Sequence, residues 1–63
     1  MKMQFERGDL VALNRSAKGR SAGEVGLLLR TCGFADDKAM VRMPDGETIK
    51  VPLDRLTRLA RVD

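Results

Sequence analysis

Short apolar runs, each bounded by glycine, proline or polar residues, recur along the 63-residue chain. The first run, "GDLVALN", lies between Gly8 and Asn14, and the second, "GEVGLLLRTC", begins at Gly23. Three consecutive leucines also fit a helix, but the flanking glycines favour a strand. Gly26 lies inside the second run, and a glycine within a strand indicates a bulge or a sharp bend.

The segment "KAMVRMPDGETIKV" predicts a β-hairpin. Pro44-Asp45-Gly46 suits a type I turn with the glycine in the left-handed conformation, which pairs Met43 with Glu47. With this register the residues that share the inner face are Ala39, Val41, Ile49 and Val51. Those that share the outer face are Met40, Arg42, Thr48 and Lys50. The turn and the alternation of apolar residues select the same register independently.

Two structures fit the segment after Pro52. "LDRL", from Leu53 to Leu56, is short enough for a single 3₁₀ turn, and "TRLARV" then forms a last strand with Leu59 facing inward. A helix from Leu53 to Val62 is the alternative, because the leucines also fit helical spacing. The turn followed by a strand is our prediction.

These elements predict an all-β fold, a five-stranded SH3-like barrel with a short 3₁₀ turn before the last strand. The strands are expected near residues 9–14, 23–32, 38–43, 47–52 and 57–61, in a single domain over residues 1–63. Closure into a barrel would protect the strand edges. The residues expected in the core are Val25, Val41, Ile49, Val51 and Leu56.

The motif "F-E-R-G-D-L-V" followed by "G-E-V-G-L-L" resembles the opening of SH3-like barrels of the KOW and Tudor-like kind. In those proteins a Gly-Asp-x-Val strand leads through a loop to a Gly-x-Val-Gly strand. The resemblance extends over roughly Phe5 to Leu59 and implies the barrel fold. It also implies that the first loop is a region that meets RNA, as it often is in KOW-like modules.

The layout, down to a late "V-P-L-D-R-L", is also similar to plasmid-borne type II dihydrofolate reductase, whose chains act as a tetramer. That family carries a Gln-Ile-Tyr triplet on the strand before the proline. This chain has Thr48-Ile49-Lys50 there, so only the isoleucine matches. The reductase activity is therefore not expected of this chain.

The residue types argue against catalysis and against a metal site. Histidine and tyrosine are absent, and Cys32 is the single cysteine. It lies in an apolar context typical of a small buried side chain. Asp36-Asp37 alone would leave most of a hard cation's oxygen shell unfilled, and a solvated turn is the simpler interpretation. We therefore predict no cofactor and no enzymatic activity, and a subunit of an oligomeric enzyme with a site at a pore is the remote alternative.

Charge suggests an acidic partner. The net charge is +3, and the loop from Asn14 to Ala22 holds Arg15, Lys18 and Arg20 among small residues and glycines. Such a loop is expected to be mobile and to contact the phosphates of RNA or DNA, although a solvated connection fits it as well. Residues predicted to bind nucleic acid are Arg15, Lys18, Arg20, Arg42 and Lys50. The alternative is a protein-interaction module that binds a protein partner or itself.

The aromatic residues, the single cysteine and the lengths of the apolar runs limit the possible partners and the cellular location. Phe5 and Phe34 are the only aromatic residues, and one or both are expected in the core or at a barrel end. An aromatic cage is therefore excluded, and base stacking would lack aromatic side chains. The lone thiol and the absence of a long apolar run predict a cytoplasmic protein without membrane contact.

Overall fold

The computed structural model describes residues 5–60 and contains five β-strands and two short 3₁₀ turns. The strands are β1 (Leu10–Leu13), β2 (Val25–Cys32), β3 (Lys38–Arg42), β4 (Thr48–Pro52) and β5 (Leu56–Ala60). The 3₁₀ turns span Phe34–Asp36 and Leu53–Arg55. The all-β prediction is confirmed, and so is the 3₁₀ turn before the last strand. The alternative helix from Leu53 to Val62 is wrong, because residues 56–60 form strand β5. The predicted strand 57–61 extends one residue past the described residues.

All five strands form one antiparallel sheet in the order β4-β3-β2-β1-β5. Strands β4 and β5 are its two edges. One buried cluster nevertheless draws side chains from all five strands, so the sheet curls around a single core. Closure of that curled sheet into a barrel stays a prediction from the sequence.

The predicted hairpin register is confirmed. In β3 and β4, Val41 pairs with Ile49 and Ala39 pairs with Val51. At the turn, the N–H of Met43 donates to the carbonyl of Glu47 at 2.7 Å, and Gly46 has a φ of +95°. The left-handed glycine and the apolar alternation therefore act together, as the sequence indicates.

Among the described residues, the core contains nine buried apolar side chains. They are Val11, Leu13, Leu28, Ala39, Val41, Met43, Ile49, Val51 and Leu56. Four of the five predicted core residues are among them, but Val25 is only half-buried because it pairs with Ala12 on the outer side of the sheet. The inward orientation predicted for Leu59 is also wrong. A register shift against β1 leaves Leu59 unpaired, and 52% of it is exposed.

Gly26 lies where β2 packs closely against β3, and the bulge or bend predicted at this glycine is not found there. It pairs regularly with Val11, whereas the irregularity of β2 lies at Leu29, between the pairs made by Leu28 and Arg30. A Cβ atom on Gly26 would lie 2.6 Å from Cγ1 of Val41 and 2.9 Å from the carbonyl oxygen of Arg42. Glycine therefore lets β2 and β3 approach each other at this point.

Within residues 5–60, no helix has the length and apolar character required to cross a membrane.

Candidate functional site

The first loop carries an ordered turn at its tip. Ala17 and Arg20 exchange two backbone hydrogen bonds, of 3.0 and 2.9 Å. Between them, Lys18 and Gly19 have φ values of +54° and +77°, the pattern of a type I′ turn. Arg15 and Lys18 are exposed, as a phosphate-binding loop requires. The hydrogen-bonded tip argues against the mobility that the composition of the loop predicts.

Arg20 is held by three carboxylates and is not presented to solvent. Its guanidinium lies 3.0 Å from Oε1 of Glu24 and 2.7 Å from Oδ2 of Asp45, and it also pairs with Glu47. Only 13% of the Arg20 side chain is exposed. We call these four residues the Arg20 cluster. Its one cation and three anions give it a net negative charge, which disfavours phosphate.

Hydrogen bonding shifts the pKa values of three residues of the Arg20 cluster, Arg20, Glu24 and Asp45. Hydrogen bonds to Asp45, Glu47 and Glu24 raise the pKa of Arg20. The pKa of Glu24 is lowered, first by the backbone N–H of Ser21 and then by Arg20. The pKa of Asp45 is lowered, first by the backbone N–H of Glu47 and then by Arg20. These shifts favour the charged forms of Arg20, Glu24 and Asp45, and the ion pairs of Arg20 fasten the first loop to the β3–β4 turn.

Four cations lie on the outer side of β2, β3 and β4. Cross-strand pairing arranges nine residues in three rows, which we call the basic face. The rows are Leu27–Arg42–Thr48, Arg30–Met40–Lys50 and Cys32–Lys38–Pro52. Four of the nine are cations and none is a carboxylate. Since residues paired across strands lie on the same side of a sheet, the four charges share one surface.

Two of these four cations, Arg42 and Lys50, are predicted from the sequence, and two are not. Arg30 escapes prediction because the irregularity at Leu29 changes which side of β2 the following residues occupy. Lys38 lies 3.7 Å from Asp37, in an exposed ion pair. Within residues 5–60, the other three cations of the basic face form no ion pair.

Phe34 lies in the connection between β2 and β3, just beyond the Cys32–Lys38 pair. It is 92% exposed, whereas Phe5 packs partly against the core. The expectation of a buried aromatic therefore holds for Phe5 alone. Cys32 is half-buried, not the fully buried residue that its apolar context predicts.

Asp9, the aspartate of the Gly-Asp-x-Val motif, stabilises the fold from a buried position. Asp9 is fully buried, and its Oδ2 accepts the backbone N–H of Glu6 at 2.8 Å. The same oxygen lies 3.5 Å from Nη1 of Arg58 on β5. Asp9 thus closes the turn before β1 and ties it to the last strand, which sets Arg58 apart from the cations of the basic face.

A shallow apolar depression of about 280 Å³ lies beside the basic face. Its lining residues are Leu10, Val25, Gly26, Leu27, Arg42, Met43 and Pro44. Leu10 and Leu27 pair across β1 and β2, and 37% and 39% of these residues remain exposed. The two leucines therefore give the depression an exposed apolar contact surface next to Arg42.

Comparisons of the chain with protein families, curated proteins and solved structures find no match. The similarity to KOW and Tudor-like barrels therefore stays a prediction from the sequence motifs. Residues 5–60 also hold no group of three or more His, Cys, Asp or Glu side chains placed to bind a metal ion. The arrangement of charges is thus the main guide to function.

Proposed function

We propose that this chain is a small, non-catalytic SH3-like barrel module that binds the phosphate backbone of nucleic acid through its basic face. The observation that supports the proposal is the set of three consecutive rows carrying four cations and no carboxylate. A surface with several cations and no carboxylate attracts polyanions, because each neutralised phosphate releases bound counterions. A cytoplasmic location, which would give access to RNA and DNA, is part of the proposal.

The spacing of the cations suits a backbone more than a single anion. Arg30 and Lys50 are separated by one intervening strand, which places their Cα atoms roughly 10 Å apart at the usual spacing between strands. Arg42 lies two residues along β3 from Met40, roughly 7 Å away. Charges distributed over such distances contact several phosphates in turn and do not surround one. Contacts of this kind position a backbone without selecting a sequence.

The loop cations have a smaller part in this proposal than the sequence suggests. Arg20 is occupied by carboxylates, and the cluster around it carries a net negative charge. The Arg20 cluster fastens the loop to the β3–β4 turn, which is next to Arg42. The acidic residues of the cluster therefore separate the loop cations from the basic face. Substitution of Arg15 and Lys18 is therefore the matched control for substitution of cations on the basic face.

The proposal is tested by removing two charges from either surface. We expect Arg42→Ala with Lys50→Ala to weaken binding of labelled RNA and DNA alike, and Arg15→Ala with Lys18→Ala to leave it nearly unchanged. Both double variants lose the same charge, and all four residues are exposed, so stability should stay within about 0.5 kcal/mol of the parent. Fluorescence anisotropy at low salt measures the affinities.

The dependence of binding on salt provides a second readout. With three phosphates neutralised by Arg30, Arg42 and Lys50, the slope of log affinity against log salt on duplex DNA is expected to be about −2.7. Removing two of these cations should make the slope shallower by about 2, since each phosphate contact contributes about 1. A parent protein that binds no polyanion at low salt would overturn the proposal, and equal losses in both double variants would overturn the choice of surface.

A protein-interaction module is the second candidate, and the exposed Leu10–Leu27 pair beside the shallow depression favours it. Such a surface could bind a protein partner or another copy of the chain. Light scattering over a range of concentrations tests self-association. A mass that rises with concentration in the parent, but not in Leu27→Ser, would support this candidate.

A further inference from the structure

Phe34 has an unusual combination of exposure and position. It is a phenylalanine with 92% of its surface in water, at the end of the β2–β3 hairpin that supplies most of the basic face. The last row of that face, Cys32–Lys38–Pro52, is two residues away along the chain. An exposed aromatic ring gains free energy from any partner that covers it, so Phe34 extends the charged surface with an apolar contact.

The backbone holds Phe34 in a defined turn. Gly33 has a φ of +85°, and Ala35 and Asp36 have φ values of +58° and +54°, which residues with side chains seldom adopt. The N–H of Asp36 donates to the carbonyl of Gly33 at 3.2 Å, and the N–H of Leu53 donates to the carbonyl of Asp37 at 2.9 Å. This turn is tied to the sheet, so the position of the ring relative to the basic face is set by the fold.

We infer that the nucleic acid bound by the basic face is single-stranded, with a base stacked on Phe34 and the neighbouring phosphates on Arg30, Lys50 and Arg42. This inference rests on the proposed function and specifies its ligand. The bases of a duplex are already stacked on each other, so a protruding ring gains little from them. In a single strand the faces of the bases are accessible. Proteins usually bind single strands through positively charged surfaces that carry aromatic side chains.

The acidic residues beside Phe34 limit where the strand can run. Asp36 and Asp37 are both exposed, and they would repel a backbone that continued past the turn. The phosphates therefore stay on the basic face, and the base on Phe34 belongs to the nucleotide at which the strand leaves that face. A protein partner with an apolar pocket rimmed by cations is the competing occupant, and the experiment below distinguishes the two.

A tryptophan at position 34 makes the contact directly visible. The chain contains neither tryptophan nor tyrosine, so Phe34→Trp introduces a single fluorophore of this kind. Titration with a single-stranded oligonucleotide of roughly 10 residues, within the usual site size of small β modules, should quench its emission. The same titration with duplex DNA of equal length should leave the emission nearly unchanged. Unchanged emission with the single strand, at concentrations where anisotropy shows binding, would overturn the inference.

Substitutions separate stacking from simple apolar contact. Phe34→Leu should weaken single-strand binding at least about fivefold, the low end for one base–aromatic stack, whereas Phe34→Tyr should retain it. Duplex binding should be the same in both variants. Leu59→Ala is the control, because Leu59 is 52% exposed and lies on β5, away from the basic face.

The outcomes distinguish this inference from the proposed function. If Phe34→Leu binds single strands as the parent does while Arg42→Ala with Lys50→Ala loses binding, the stacking inference fails and the proposed function stands. If the parent binds neither single strands nor duplexes at low salt, both fail. In that case, an interaction with a protein that Phe34→Leu abolishes would identify the Phe34 turn as a protein-docking element.

Discussion

At the scale of single residues, Gly26 controls how closely β2 approaches β3. An added Cβ atom would lie within 3 Å of atoms of Val41, Arg42 and Met43. We expect Gly26→Ala to lower the free energy of unfolding by roughly 1–3 kcal/mol, as overpacking usually does. Chemical denaturation measures this change.

A double-mutant cycle separates steric overlap from backbone strain at Gly26. The loss should be smaller in a Val41→Ala background, because the nearest atom, Cγ1 of Val41, is then absent. Gly46→Ala is the comparison, since Gly46 has open space around it and a φ of +95°. Its cost arises from backbone conformation and should be the same in both backgrounds. If the costs of Gly26→Ala and Gly46→Ala were both unchanged by Val41→Ala, steric overlap with Val41 would not be the cause of the loss at Gly26.

At the scale of elements, the Arg20 cluster joins the first loop to the β3–β4 hairpin, and its contribution depends on pH. The pKa values of Glu24 and Asp45 are lowered in the folded protein from ordinary values of 4.5 and 3.8. Carboxylates with lowered pKa values stabilise the fold above their unfolded-state values. The stabilisation is lost as the pH falls through the folded-state values.

Stability is therefore expected to fall with acidification below about pH 4.5, where these carboxylates begin to protonate in the unfolded chain. In Arg20→Gln the decline should become shallower, but it should not vanish, because the backbone N–H groups of Ser21 and Glu47 still stabilise the ionised carboxylates. Urea denaturation at a series of pH values measures the decline, with Arg15→Gln as the control. Profiles that coincide for Arg20→Gln and the parent would exclude the guanidinium as a cause.

The sequence predicts those features of the fold that arise from local chemistry. Pro44-Asp45-Gly46 and the alternation around it determine the hairpin register, and hence the shared face of Arg42 and Lys50. Features that depend on distant contacts are not predictable in this way. Two of the three partners of Arg20, Asp45 and Glu47, come from a separate hairpin. The position of Arg30 depends on an irregularity at Leu29 that no single residue type signals.

At the scale of the whole molecule, charge and burial are separated across one curved sheet. The inner side of β3 and β4 supplies buried apolar residues, while the outer side supplies the cations of the basic face. The acidic residues of the Arg20 cluster lie at one end of that face, near the β3–β4 turn, and Asp36 and Asp37 lie at the other end, in the β2–β3 connection. For the proposed polyanion, this charge distribution favours the middle of the sheet and disfavours both ends. This layout makes the face short, which suits a ligand of a few nucleotides.

The Arg20 cluster also has a kinetic consequence. Arg20 is 25 residues from Asp45 and 27 from Glu47 along the chain, and the three can meet only after the first loop and the β3–β4 hairpin have docked. Contacts that form after the rate-limiting step of folding retard unfolding without accelerating folding. In stopped-flow measurements we therefore expect Arg20→Gln to unfold faster than the parent while refolding at nearly the same rate; a slower refolding rate would place these contacts in the transition state. A side chain outside the basic face would then lengthen the lifetime of the surface that we propose binds phosphate.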